Sequence, residues 1–174
     1  MAGFRDQVRH LSSRQLALAL TMGAGATILA ALAFEHLGGY RPCPLCLKER
    51  IAYYAAVPAG LIAALMLSTG RHALARTILV LAALGLIWNA GLGVYHSGVE
   101  WKWWLGPAEC GTTGELTTGG SLVESIEGER RIRCDEAPWR FIGLSFAGWS
   151  AVLSLALALI GFAAAVRRPS TDGI

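Results

Sequence analysis

IAYYAAVPAGLIAALMLSTG, residues 51–70, carries no charged side chain and is long enough to cross bilayer hydrocarbon as one helix. Immediately before it stands RPCPLCLKER, residues 41–50, where a short polar loop holding two cysteines turns into the apolar run. Three more uncharged runs fill residues 15–34, 77–95 and 141–166, so the set spans about 19 to 26 residues each. Charged residues are only 16% of the 174, and mean hydropathy is +0.48. Four such helices buried in a water-soluble core would leave almost no polar face for solvent. Backbone in lipid must satisfy its own hydrogen bonds, which selects helices. The expected fold is an all-α membrane protein, a four-transmembrane-helix bundle with spans at about 15–34, 51–70, 77–95 and 145–166. It should form a single domain over residues 1–174, with loops at about 35–50 and 96–144 on one side. Within the spans, Gly23, Gly25, Gly85, Gly91 and Gly93 read as sites of close helix approach, and Asn89 as an interhelical hydrogen-bond donor.

Arginine placement sets the orientation. Arg5, Arg9 and Arg14 precede the first span, Arg71 and Arg76 join the second to the third, and Arg167 and Arg168 follow the fourth. The positive-inside rule puts these flanks and both termini in the cytoplasm, against the weaker cluster of Arg41, Lys48 and Arg50 on the other side. The first span could also be read as a secretory signal, with Ala31-Leu-Ala33 as a cleavage site. Its length and its end close to the first cysteines favour retention.

All four cysteines, Cys43, Cys46, Cys110 and Cys134, then face the non-cytoplasmic compartment, where disulfides persist. In Cys43-Pro-Leu-Cys46 the spacing allows a small closable ring at the start of a helix, with Pro44 in the first turn, where no amide donor is needed. The positive end of the helix dipole favours thiolate there. Arg50, four residues after Cys46, shares its helix face. Cys110 and Cys134 bracket a glycine- and threonine-rich stretch that reads as irregular, followed from Ser121 by a possible short interfacial helix carrying Leu122, Val123 and Ile126. Trp101, Trp103, Trp104 and Trp139 flank this loop. They read first as an aromatic belt at the lipid interface, with stacking on a ring-shaped ligand as the alternative. His96 and Glu100, where the third span ends, read most simply as interfacial groups facing water, with a proton relay as the alternative; Glu35 and His36 read the same way.

Three chemistries compete for the cysteines. A four-cysteine zinc site needs tight knuckle spacing at both pairs, which Cys110 and Cys134 lack. A static brace is the blander reading, since closing a loop of about 25 residues contributes ~3.5 kcal/mol in the chain-entropy model. It corresponds to a non-enzymatic membrane scaffold. A relay passes electron pairs from a soluble protein to an acceptor in the lipid. Structural disulfides lie below about −300 mV and a strongly oxidising thioredoxin-fold protein near −120 mV, a gap of roughly 8 kcal/mol for two electrons. A relay therefore needs a strong terminal oxidant, and a lipid-soluble quinone at the bilayer surface can supply it. Four cysteines allow three pairings, and spacing alone does not choose among them.

Two segments carry a family resemblance. FEHLGGYRPCPLCLKER, residues 34–50, resembles the first-loop signature of the bacterial disulfide bond formation protein B (DsbB) family, and CDEAPWRFIGLSFAGW, residues 134–149, is similar to that family's entry into its fourth helix. With four spans and two loop dithiols, the resemblance covers nearly the whole chain. It implies a protein dithiol:quinone oxidoreductase of the bacterial inner membrane with periplasmic cysteine loops. Its partner would be a DsbA-like thioredoxin-fold protein and its acceptor ubiquinone or menaquinone, with no metal cofactor and no nucleic acid. It also implies that Cys110 and Cys134 form the disulfide the partner attacks, Cys110 taking the mixed disulfide. Electrons would pass to Cys43 and Cys46 through a transient Cys43–Cys134 link. Cys46 would face the quinone, with Arg50 supporting it; His96 is a further quinone-site candidate from its position alone, where the third span leaves the membrane on the same side. The glycine- and threonine-rich second loop departs from the family pattern.

Overall fold

The computed structural model describes residues 11–110 and 134–167. Four long helices account for most of them: α1 (Ser13–His36), α2 (Pro44–Ser68), α3 (His72–Glu100) and α4 (Phe146–Val166). All four are long and apolar enough to cross a membrane. The expected interfacial helix after Ser121 lies outside the described residues.

Each helix packs on its neighbours in sequence, and α4 closes the ring against α1, leaving the α2–α4 diagonal slight. The interior is rich in small side chains, with Ala17, Ala24, Ala63, Ala75, Ala83 and Ala158 essentially inaccessible alongside Leu20, Leu79 and Leu86. Large side chains such as Leu29, Trp88 and Leu159 point outward. This is the arrangement expected where lipid, rather than water, meets the outer surface. Asn89 of α3 donates to Ser154 Oγ of α4 at 2.9 Å, and Tyr53 of α2 shares that hydroxyl at 2.7 Å, so one buried polar knot ties three helices.

The glycines divide into two groups. A Cβ at Gly93 would lie 2.9 Å from the Ala147 carbonyl oxygen and the Ala151 amide, so α3 and α4 touch backbone to backbone there. Gly85 and Gly91 face open space, and the expectation that they mediate close approach does not hold. Gly93→Val is accordingly expected to lower stability by about 1–3 kcal/mol, whereas Gly85→Val should be near neutral. Thermal unfolding of the two variants in detergent checks this; equal shifts would contradict the packing.

One boundary differs from that read in the sequence. Helix α3 continues through Glu100 rather than ending at residue 95, because His96 and Glu100 are turned into the bundle. The fourth span begins at Phe146, one residue from the expected 145, and the end of the expected loop before it forms a hairpin. Arg140–Phe141 pairs antiparallel with Leu144–Ser145 across Ile142 and Gly143, both at positive φ (52° and 79°). Positive φ at both central residues marks the turn that matches strand twist, and a β-branched residue such as Ile142 adopts it only under strain. Ser145 then caps α4, its side chain accepting from the Gly148 amide.

The Arg-bearing ends come together: Arg76 donates to the Arg167 carbonyl at 3.3 Å, and Arg167 to that of Leu11. The cysteines occupy the opposite end.

Candidate redox site

Pro44 opens α2, and Cys43 is its N-cap, with an extended backbone (φ −76°, ψ 165°). Its sulfur takes the place usually held by a serine or aspartate oxygen, accepting from the Cys46 amide at 3.1 Å. The Cys46 thiol, donating to the same sulfur, is the largest influence holding Cys43 below the ordinary thiol range. Burial opposes this, and the Cys46 and Leu45 amides reinforce it. Cys43 is therefore the sulfur on which charge is best accommodated. Iodoacetamide should alkylate it with a pH midpoint below the ~8.5 of a free cysteine, and Cys46→Ala should raise that midpoint by removing the thiol donor. A pH–rate profile followed by mass spectrometry reads both; an unchanged midpoint in Cys46→Ala would contradict the assignment.

His96 enters from α3. Its Nε2 lies 3.5 Å from Cys43 Sγ, and its Nδ1 lies 2.7 Å from Glu49 Oε1 on α2. Glu100, one turn further along α3, places Oε1 4.0 Å from the same Nε2, while its Oε2 is buried with no hydrogen-bond partner among the described residues. His96 is 2% exposed and Glu100 7%, so the reading of both as water-facing groups is overturned. Glu49 orients the ring through Nδ1 and so sets Nε2 against the Cys43 sulfur.

Cys110 and Cys134 are bonded to each other, and Cys43 and Cys46 are free thiols. With Cys110 and Cys134 joined, the four cysteines do not form one metal set. The disulfide is fully buried in an apolar cluster with Cys43, Leu45 and Val99, with Cys46 packed against it. The two pairs, 64 residues apart at their nearest members in sequence (46 to 110), thus sit side by side.

Cys43, Cys46, Arg50 and His96 all line one cavity of about 850 Å³. Its apolar wall comes from Thr27, Ala30, Ala31 and Phe34 of α1 and Leu153 of α4. At its loop side Trp139 stacks on Phe146 at 4.9 Å, with Phe34 5.0 Å from Phe146. Among the four tryptophans near the loop, Trp139 alone lines the cavity, while Trp101, Trp103 and Trp104 are substantially exposed. Arg50 is ion-paired with Glu35 and also donates to the Ala31 carbonyl at 3.4 Å, so its guanidinium leans toward α1.

The sequence offers Glu100 and Glu35 as proton-relay alternatives but does not give the contacts of Glu35, Glu49 or Glu100. Glu49 carried a usable signal, standing three residues after Cys46 and hence one turn along the same helix. Glu35 and Glu100 become legible only when α1 and α3 are placed against α2.

The fold and site together define a multi-pass membrane protein built around two adjacent cysteine pairs. The chain belongs to the family described as disulfide bond formation protein DsbB, whose family model matches residues 13–164. It is similar to the disulfide bond formation protein B of Polaromonas sp. strain JS666, 30% identical with 83% of this chain and 86% of the relative covered. It is 33% identical to that of Marinobacter nauticus, over 82% and 86%. It is 30% identical to that of Aromatoleum aromaticum, over 90% and 95%. Disulfide bond formation is thus the function to which the chain belongs.

Proposed function

We propose that this protein is a dithiol:quinone oxidoreductase that reoxidises a periplasmic DsbA-like thioredoxin-fold protein. The observation that carries the reading is the packing of the Cys110–Cys134 disulfide against Cys43, beside a largely apolar cavity into which Cys46 opens. A thiolate of the reduced partner attacks Cys110, releasing Cys134, and the partner's second thiol then displaces Cys110 to leave the partner oxidised. Cys134 attacks Cys43 of the Cys43–Cys46 disulfide and frees Cys46 as thiolate; Cys110 displaces Cys43 and restores the loop disulfide. The net change oxidises one partner dithiol and reduces the inner pair, with two electrons and two protons to pass on.

The cavity suits a quinone on its own features: apolar along α1 and α4, polar at the end where Arg50 and His96 stand among Glu35, Glu49 and Glu100, and large enough for a ring with the start of its tail. Ubiquinone or menaquinone supplies the two-electron, two-proton sink. Arg50 offers positive charge where negative charge develops, and His96, held by Glu49, is placed to move the proton of Cys43. In the inner membrane, cytoplasmic termini would put both cysteine loops in the periplasm.

Spectroscopy with quinone added and partner withheld tests the acceptor. A thiolate-to-quinone charge-transfer absorption is expected once Cys134 bonds Cys43 and frees Cys46, as Cys110→Ser allows without partner, and should vanish when Cys46→Ser is added. Its persistence in that variant would remove Cys46 from the acceptor contact.

A further inference from the structure

We propose that the reduced Cys43–Cys46 pair, with His96, binds one thiophilic divalent cation of the zinc and cadmium class, which takes the inner dithiol out of exchange. The ligating atoms of Cys43, Cys46 and His96 all lie within 4.8 Å of one another. Tetrahedral zinc, with bonds of ~2.3 Å to sulfur and ~2.0 Å to nitrogen, separates adjacent sulfur and nitrogen ligands by about 3.6 Å. The Cys43 Sγ to His96 Nε2 distance is 3.5 Å.

Three further features go beyond proximity. Glu49 binds the Nδ1 side of the ring at 2.7 Å, the carboxylate–histidine arrangement that orients imidazole toward a metal and strengthens it as a ligand. The buried Glu100 carboxyl stands 4.0 Å from Nε2 with one oxygen unpartnered among the described residues, beside the three ligands but outside their set. The ligand set is two thiolates and an imidazole, which selects soft or borderline ions over magnesium or calcium.

Binding exchanges two thiol protons for one cation, and no electron moves. The cation and the Cys43–Cys46 disulfide exclude each other, because both need the same sulfur electron pairs. A cell short of terminal oxidant accumulates the reduced pair, which is the form the cation captures. This inference rests on ligand geometry and stands or falls separately from the quinone reading, since no quinone takes part in its test.

The probe is Co²⁺, added under argon to full-length protein in detergent. The protein carries Cys110→Ser and Cys134→Ser, so that only the inner pair supplies thiolates, and is freed of quinone and reductant. Sulfur-to-cobalt charge-transfer absorption should saturate at one equivalent, reverse on adding Zn²⁺, and be lost when the inner pair is first oxidised to its disulfide. Zn²⁺ should also protect Cys43 from iodoacetamide. Glu49→Gln is expected to weaken binding about 10–100-fold, and His96→Gln at least as much. The oxidised form of the same protein supplies a control that needs no further substitution. No charge-transfer absorption, absorption unaffected by oxidation, or undiminished affinity in His96→Gln would each overturn the site.

Discussion

Cys110→Ser is expected to lower steady-state turnover with reduced partner and quinone by about 10³-fold or more, the scale on which loss of a covalent nucleophile is felt. Serine cannot form the mixed disulfide, and Cys134 is left without its bonded neighbour in the buried cluster it shares with Cys43. The bundle itself should survive, because the disulfide lies outside the four helices and their packing does not pass through it. The same variant should therefore show the charge-transfer absorption of the inner pair with quinone. That combination separates lost exchange from lost fold. A brace would behave differently: its removal would lower stability, by ~3.5 kcal/mol in the chain-entropy model, without a specific loss of turnover. Full activity in Cys110→Ser would remove the two-pair relay.

Arg50→Gln should reduce kcat with quinone by about 10²-fold, the usual cost of deleting one preorganised charge from a site where negative charge develops, while leaving partner binding nearly unchanged. Arg50 lines the cavity with Cys46 and is held toward α1 by Glu35. Glu35→Gln removes a countercharge and a tether together, so it should alter quinone kinetics by much less than the loss of the arginine. An unchanged quinone KM and kcat in Arg50→Gln would deny it a part in the acceptor step. Equal losses for quinone and partner would indicate a structural role instead.

The membrane architecture was legible in the sequence because uncharged runs of spanning length admit few other folds. The cysteine-bearing helix start was legible because Pro44 and the two-residue spacing act locally. What escaped was set by tertiary packing. Nothing in the sequence near His96 says that it meets Glu49, 47 residues earlier, and a histidine and a glutamate at a membrane boundary look like groups seeking water. In the structure His96 pairs with Glu49 instead, and both His96 and Glu100 are buried on the last turns of α3. The hairpin at residues 140–145 escaped for a local reason: Ile-Gly is a poor signal for a turn that needs positive φ at both positions. Gly85 and Gly93 look alike in sequence and differ only in which face of α3 meets α4.

The two cysteine pairs and the cavity form one path only if electrons entering at Cys110 leave through Cys46. Anaerobic single-turnover mixing of the quinone-loaded protein with reduced thioredoxin-fold partner measures this, following partner disulfide and quinol in the same sample. One quinol for each partner disulfide, with both yields abolished by Cys110→Ser and by Cys46→Ser, is the expected result. Partner oxidation without matching quinol, or quinol formed at the same rate in Cys46→Ser, would contradict it.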